Sequence, residues 1–310
     1  MSDAIDIDLR RPFTRADAIA AGVSTSALRG PKFRRIFHGV YIHASVAAHP
    51  FHRIQAALLI HPGEAFASHL SAARVYALPV PSTSEEHVSV FDEADRRRRP
   101  EIRNHIADPA ITVQVLRGIR VSPPGQLFVE LASLLGRVDL VVAGDALVHQ
   151  ERITPEELRR YCAESPDRYA GPARRAASYV RDEVDSPMET RLRMLIVLAG
   201  LPEPTVNHKL YYPDGRLRFR FDLSYPALKL IVEYDGRQHR EDLEVWNRDT
   251  ERRDWFDHND WVIVPVFSWG IYKSPDHTIE RVRSALKLRG CTTLPRRLSD
   301  DWRPFFPVKR

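Results

Sequence analysis

Between Phe219 and His239 the chain reads FRFDLSYPALKLIVEYDGRQH, and three carboxylates, Asp222, Glu233 and Asp235, fall in two predicted strands around a Tyr225-Pro226 turn. In the first strand Leu217, Phe219, Phe221 and Leu223 share one face, leaving Arg216, Arg218, Arg220 and Asp222 on the other. In the second, Leu228, Leu230, Val232 and Tyr234 oppose Lys229, Ile231, Glu233 and Asp235. Pairing of the two strands brings Asp222 close to Glu233 and Asp235. Neighbouring carboxylates repel, and burying them costs several kcal/mol unless arginines, shared protons or a cation compensate. An oxygen-only ligand set with open positions suits Mg²⁺ or Mn²⁺, ions that also grip phosphate.

The elements that must hold these acids can be read outward from them. In DSPMETRLRMLIVLAGL, Ser186 is the N-cap of a helix, Pro187 is N1 and Glu189 is N3, a capping-box pattern. Leu192, Leu195, Ile196 and Ala199 mark its apolar stripe. Strands are expected in VNHKLYYP, RLRFRFDLSY and ALKLIVEYD, then a charged helix over about 241–258, a strand in WVIVPVF and a closing helix from SPDHT to Gly290. The order is αβββαβα, followed by an irregular Pro- and Arg-rich tail.

A helix carrying Glu, then a β-meander carrying Asp and Glu, then helix and strand, resembles the PD-(D/E)XK restriction-endonuclease-like fold. DLSYPALKLIVEYDGRQH followed by RDTERRDWFDHNDWVIVPV is similar to the DUF559 group, related to very-short-patch-repair endonucleases, over about Asp185 to Arg289. The resemblance implies that Asp222 and Glu233 bind the metal, with the backbone carbonyl of Tyr234 as third ligand. Glu189 would ligate the ion or orient its water. Asp235 matches the family's Asp-Gly element, and Gln238 and His239 would reach the scissile phosphate. One departure is chemical: Asp235 stands where the family has lysine, so Lys229, Arg237, Gln238 or His239 would have to replace it. Plainer roles compete: capping for Glu189, pairing of Asp222 with Arg218 or Arg220, a surface position for His239 and a helix ion pair for Asp249 and Arg252.

Further N-terminal, the charge pattern points to a polyanion. Eight Arg and Lys lie between Arg10 and Arg53 against one acid, Asp17, whereas the whole chain carries only +5. FTRADAIAAGVSTSALRG reads as helix, turn, helix, with Thr14 and Ser24 as caps and Gly22 in the turn. FRRIFHGVYIH follows as a basic hairpin or wing. Together they resemble the winged helix of abortive-infection (AbiEi) antitoxins, over about residues 10–165. That implies DNA contacts from Thr25, Ser26 and Arg29 on the second helix and from Arg34 and Arg35 on the wing. The run Arg96 to Arg99 is expected at a hairpin tip.

The expected fold class is mixed α+β, in four parts: a winged helix-turn-helix over 1–80, an α+β connector over 81–183, a nuclease-like domain over 184–290 and a tail over 291–310. Two distant cysteines, Cys162 and Cys291, give neither a disulfide framework nor a zinc motif. MSDAIDIDLRRP lacks the apolar core of a secretory signal, and no apolar run is long enough to span a bilayer, so a cytoplasmic protein is expected. The function so implied is a metal-dependent DNA endonuclease with its own DNA reader. The alternative is an antitoxin-like regulator whose nuclease-like domain is silent. DNA is the expected partner; RNA or branched DNA, a homodimer and an operon-encoded partner stay open.

Overall fold

A computed structural model describes residues 7–236, 252 and 254–307. The molecule is mixed α+β and divides into two compact units between Leu134 and Leu135.

The first unit opens with β1 (Phe13–Thr14), α1 (Arg15–Ala20) and α2 (Thr25–Leu28). Thr14 and Asp17 form a reciprocal capping box, and Ser24 accepts from the Ala27 N–H at the start of α2, as their spacing predicts. β2 (Phe33–Phe37) and β3 (Val40–His43) form the basic hairpin, turning at Gly39 with φ +80°, a conformation costly for other residues. Phe13, Ala18 and Leu28 pack with Phe33 and Tyr41 beneath this small sheet of order β1-β3-β2.

After α3 (Pro50–Leu59) comes a five-stranded sheet of order β6-β5-β4-β8-β7. Its strands are β4 (Phe66–Ala67), β5 (Glu86–Val90), β6 (Ile102–Ile106), β7 (Gln114–Leu116) and β8 (Ile119–Val121). The helices α4 (His69–Val75) and α5 (Pro124–Leu131) complete the unit. The sheet crosses the boundary expected near residue 80, because β4 pairs with both β5 and β8. Nor is Arg96 to Arg99 at a hairpin tip. β5 and β6 run parallel, so the chain must cross back between them, and Asn104 clamps Arg97 N–H and C=O against β6.

In the second unit α6 (Arg137–His149), α7 (Pro155–Glu164), α8 (Ala170–Ala177) and α9 (Pro187–Leu198) precede a sheet of order β12-β11-β10-β9. β9 (Thr205–Tyr211), β10 (Leu217–Tyr225) and β11 (Leu230–Tyr234) form an antiparallel meander; β12 (Val262–Val266) lies parallel to β11. The short α10 (Ser268–Tyr272) and α11 (Pro275–Leu288) close the unit. Most of the charged helix expected over 241–258 lies outside the described residues. The irregular tail is nonetheless anchored: Trp302 and Phe306 are buried, and Ser299 N–H donates to Ala199 O at 2.9 Å. α9 is held by a buried strut, in which Arg193, fully buried, pairs with Asp145 of α6 at 2.8 Å while Thr190 and the Arg181 N–H bond the same carboxylate.

Candidate metal and phosphate site

Glu189 reaches the site because Ser186 starts α9: the Ser186 hydroxyl accepts from the Glu189 N–H at 3.2 Å, fixing the first turn. The expected capping box is only half made. The Glu189 carboxylate accepts instead from the N–H of Asp185, one residue earlier, at 3.2 Å. Only 8% exposed, this carboxyl is pushed above the usual range, first by burial and then by the charge of Asp222.

Asp222 enters from β10. The backbone N–H of Tyr234 faces its carboxylate and favours the charged form. Burial raises the pKa of Asp222 too, against that N–H and the fields of Arg252 and Arg220. The partners expected for it are occupied elsewhere. Arg220 pairs with Asp185, and Arg218 stacks over Tyr212 and Trp255, at 4.8 Å from each ring centroid.

Glu233, at the end of β11, is gripped by Arg252. Arg252 therefore contributes to the site; Asp249, its expected helix partner, lies outside the described residues. β11 also departs from the expected two-faced pattern. Leu230, Ile231 and Val232 are all fully buried, and Ile231 joins Phe221 and Phe256 in an aromatic cluster. The strand is covered on both sides, and its acid is displayed only where that cover ends. Asp235 donates its N–H to Val266 O at 2.8 Å, continuing the pairing with β12. Lys229, offered as a substitute for the absent lysine, bonds the carbonyl of Asn259 at 3.0 Å. Arg237, Gln238 and His239 lie outside the described residues.

The fit to a hard cation is thus partial. Glu189 is buried and Asp222 half-buried; the charge of Asp222 raises the cost of ionising Glu189, and Asp185 raises that of Asp222, as expected of carboxylates awaiting a cation. Glu233 is already neutralised by Arg252. Among the described residues, the one group of three or more whose ligand atoms all lie within 4.8 Å of one another is His69, His87 and His105, not the acids. Sequence reasoning missed it, because its members come from α4, β5 and β6 with no motif spacing.

Of the basic residues singled out near the N-terminus, Arg29, Arg34 and Arg35 are exposed, and Arg34 bonds Val46 O at 3.3 Å. Thr25 begins a helix of one turn, where Arg15 reaches its hydroxyl at 3.5 Å, and Ser26 bonds Ser24 at 2.9 Å. Among the described residues no helix is long and apolar enough to cross a membrane.

No protein-family model matches the chain. It is similar to the uncharacterized protein Rv2248 of Mycobacterium tuberculosis strain H37Rv and to the uncharacterized protein MT2308 of strain CDC 1551, each 24% identical over 250 residues. The match covers 80% of this chain and 90% of each relative.

Proposed function

We propose that the protein is a metal-dependent endonuclease acting on DNA, with a PD-(D/E)XK-like second unit of the DUF559 type and a basic, AbiEi-like winged helix near the N-terminus. One observation carries this reading: Glu189, buried on a helix, and Asp222, half-buried on a strand, are near enough for the charge of Asp222 to act on Glu189, and both have raised affinity for protons. A helix, a three-stranded meander and a parallel fourth strand are the setting in which the resemblance places such acids.

Asp222 and Glu189 would hold the ion, Mg²⁺ or Mn²⁺, with Glu233 and the Tyr234 carbonyl beside them. The ion would supply charge neutralisation at a scissile phosphate and make water acidic enough to attack near neutral pH. The chain's own contribution is positional. Tyr234 N–H faces Asp222, Asp185 N–H fixes Glu189, and Arg252 governs how much negative charge Glu233 presents. Raised proton affinity suits Glu189 for accepting a proton as attack proceeds. Exposed Arg29, Arg34 and Arg35 would bind backbone phosphates, giving affinity that falls with salt.

The pairing of Arg252 with Glu233, together with Asp235 at the lysine position, favours a second reading: a DNA-binding regulator with a silent nuclease-like unit. Incubation of supercoiled plasmid with the protein and Mg²⁺ or Mn²⁺ separates the two. Nicking by the wild type that is lost in Asp222→Ala and Glu189→Ala supports the enzyme. Duplex binding without nicking supports the regulator. Nicking that survives both substitutions removes the assignment of the site.

A further inference from the structure

The first unit gathers three imidazoles on one spot. His69 begins α4, His87 lies on β5 and His105 on the neighbouring parallel strand β6. Their rings are nearly parallel, with His69 and His105 stacked at 3.7 Å between centroids. His87 Nδ1 and His105 Nε2 share a hydrogen bond at 3.0 Å, which a bound ion would replace, and one nitrogen from each of the three rings lies within 4.8 Å of the other two. His69 is 8% exposed and His87 2%, while His105 is half-buried.

We propose that His69, His87 and His105 bind one divalent transition-metal ion of the zinc class, with Glu130 as the carboxylate that orients His69. Zinc–nitrogen bonds of about 2.0–2.1 Å in a tetrahedron set the nitrogens about 3.3 Å apart, close to the 3.0 Å already found between His87 and His105. Metal binding requires the His69 ring to turn out of its stack on His105 so that its lone pair meets the same ion.

The surroundings are built for His69 in particular. Its backbone adopts φ +47°, a left-handed conformation that a side-chain-bearing residue keeps only where its neighbours enforce it. The enforcing neighbour is Glu130, 6% exposed, whose Oε2 accepts from the His69 N–H at 2.9 Å and lies 3.7 Å from His69 Nδ1. Glu130 is itself held by the Ser122 hydroxyl at 2.9 Å and by Gln126 at 3.3 Å. His69 Nδ1 is hydrogen-bonded to the Ser68 hydroxyl at 3.1 Å with the Glu130 carboxylate behind it, which leaves Nε2 as the metal-facing atom.

Burial first, then the imidazoles' effect on one another and the neighbouring cations Arg103, Arg74 and Arg96, push the three rings down to about 2 for His69, 4 for His87 and 3 for His105. Arg74 is balanced by fully buried Glu86, which lessens its repulsion of an incoming dication. Three neutral imidazoles without thiolate select Zn²⁺, Co²⁺, Ni²⁺ or Cu²⁺ over Mg²⁺ or Ca²⁺. The half-buried side of His105 leaves a fourth position for water. An ion here would fasten the start of α4 to two strands of the five-stranded sheet.

The test uses the full chain, stripped with a chelator and titrated with Zn²⁺ against a chromogenic competitor. Millimolar Mg²⁺ is kept present to occupy the carboxylates of the second unit. Binding of one ion per chain is expected, and Co²⁺ in its place should give visible d–d absorption. His105→Ala, the substitution at the least buried ligand, should weaken binding by at least about tenfold, and Glu130→Gln by about 10–100-fold. Cys291→Ser should leave it unchanged. The proposal is overturned if the wild-type chain takes up no Zn²⁺ or Co²⁺, a result independent of any variant's folding. It is equally overturned if folded His105→Ala binds as tightly as the wild type.

Discussion

Asp222 is where stability and chemistry pull in opposite directions. Its folded pKa is raised, chiefly by burial, so the folded state holds its proton more tightly than the unfolded chain does. The stability it contributes is complete below the usual carboxylate range and is lost as pH rises through the raised value. At pH 7, without added metal, Asp222→Asn should therefore raise the melting temperature by a few degrees. Below about pH 4 the difference should vanish, because the wild-type acid is then protonated in both states. A melting temperature lowered by the substitution at pH 7 would contradict the burial argument. Glu189 follows the same sign. The two thiols offer a simpler check. Burial pushes Cys162 up to about 12, whereas Cys291 is half-buried, so a maleimide at pH 7 should label Cys291 alone in the native protein.

At the scale of elements, caps and periodicity are legible in the chain, and long-range pairing is not. Thr14, Ser24, Thr154 and Ser186 cap helices where their spacing says they should, because a cap depends on three or four consecutive residues. The meander β9–β10–β11 is equally local. β4 leaves no mark in the sequence because two residues carry no period, although it is the middle strand of five. The parallel pair β5 and β6 reads as a hairpin, since strand direction depends on the path of the connection. Of the acid site, the residues can be named, but the grip of Arg252 on Glu233 cannot: nineteen residues separate them. The same limit hides the strut under α9. Asp145→Ala takes the nearer, buried carboxylate from Arg193 and leaves it only the more exposed Glu203 at 3.3 Å, which should cost about 3 kcal/mol in urea unfolding. Thr154→Ala, which removes one exposed cap, should cost about 1 kcal/mol.

For the whole molecule, the distribution of charge matters more than its sum. The basic block lies in the first unit and the acid site in the second, so the proposed binding and the proposed cleavage can be tested by separate substitutions. Removing one phosphate-binding cation should flatten the dependence of log K on log salt by about 0.9 for duplex DNA. Arg34→Ala combined with Arg35→Ala should therefore weaken duplex binding and reduce that slope by about 2, read from gel shifts at several salt concentrations. An unchanged slope would remove the wing from the interface. The proposed enzyme requires that buried Glu189 and half-buried Asp222 hold a cation. Calorimetric titration of the metal-free chain with Mn²⁺, in wild type and in Asp222→Asn with Glu189→Gln, reads that directly. Saturable binding in the wild type that is abolished in the double variant is the expected result. Equal binding in both proteins, or no binding in either, would contradict it.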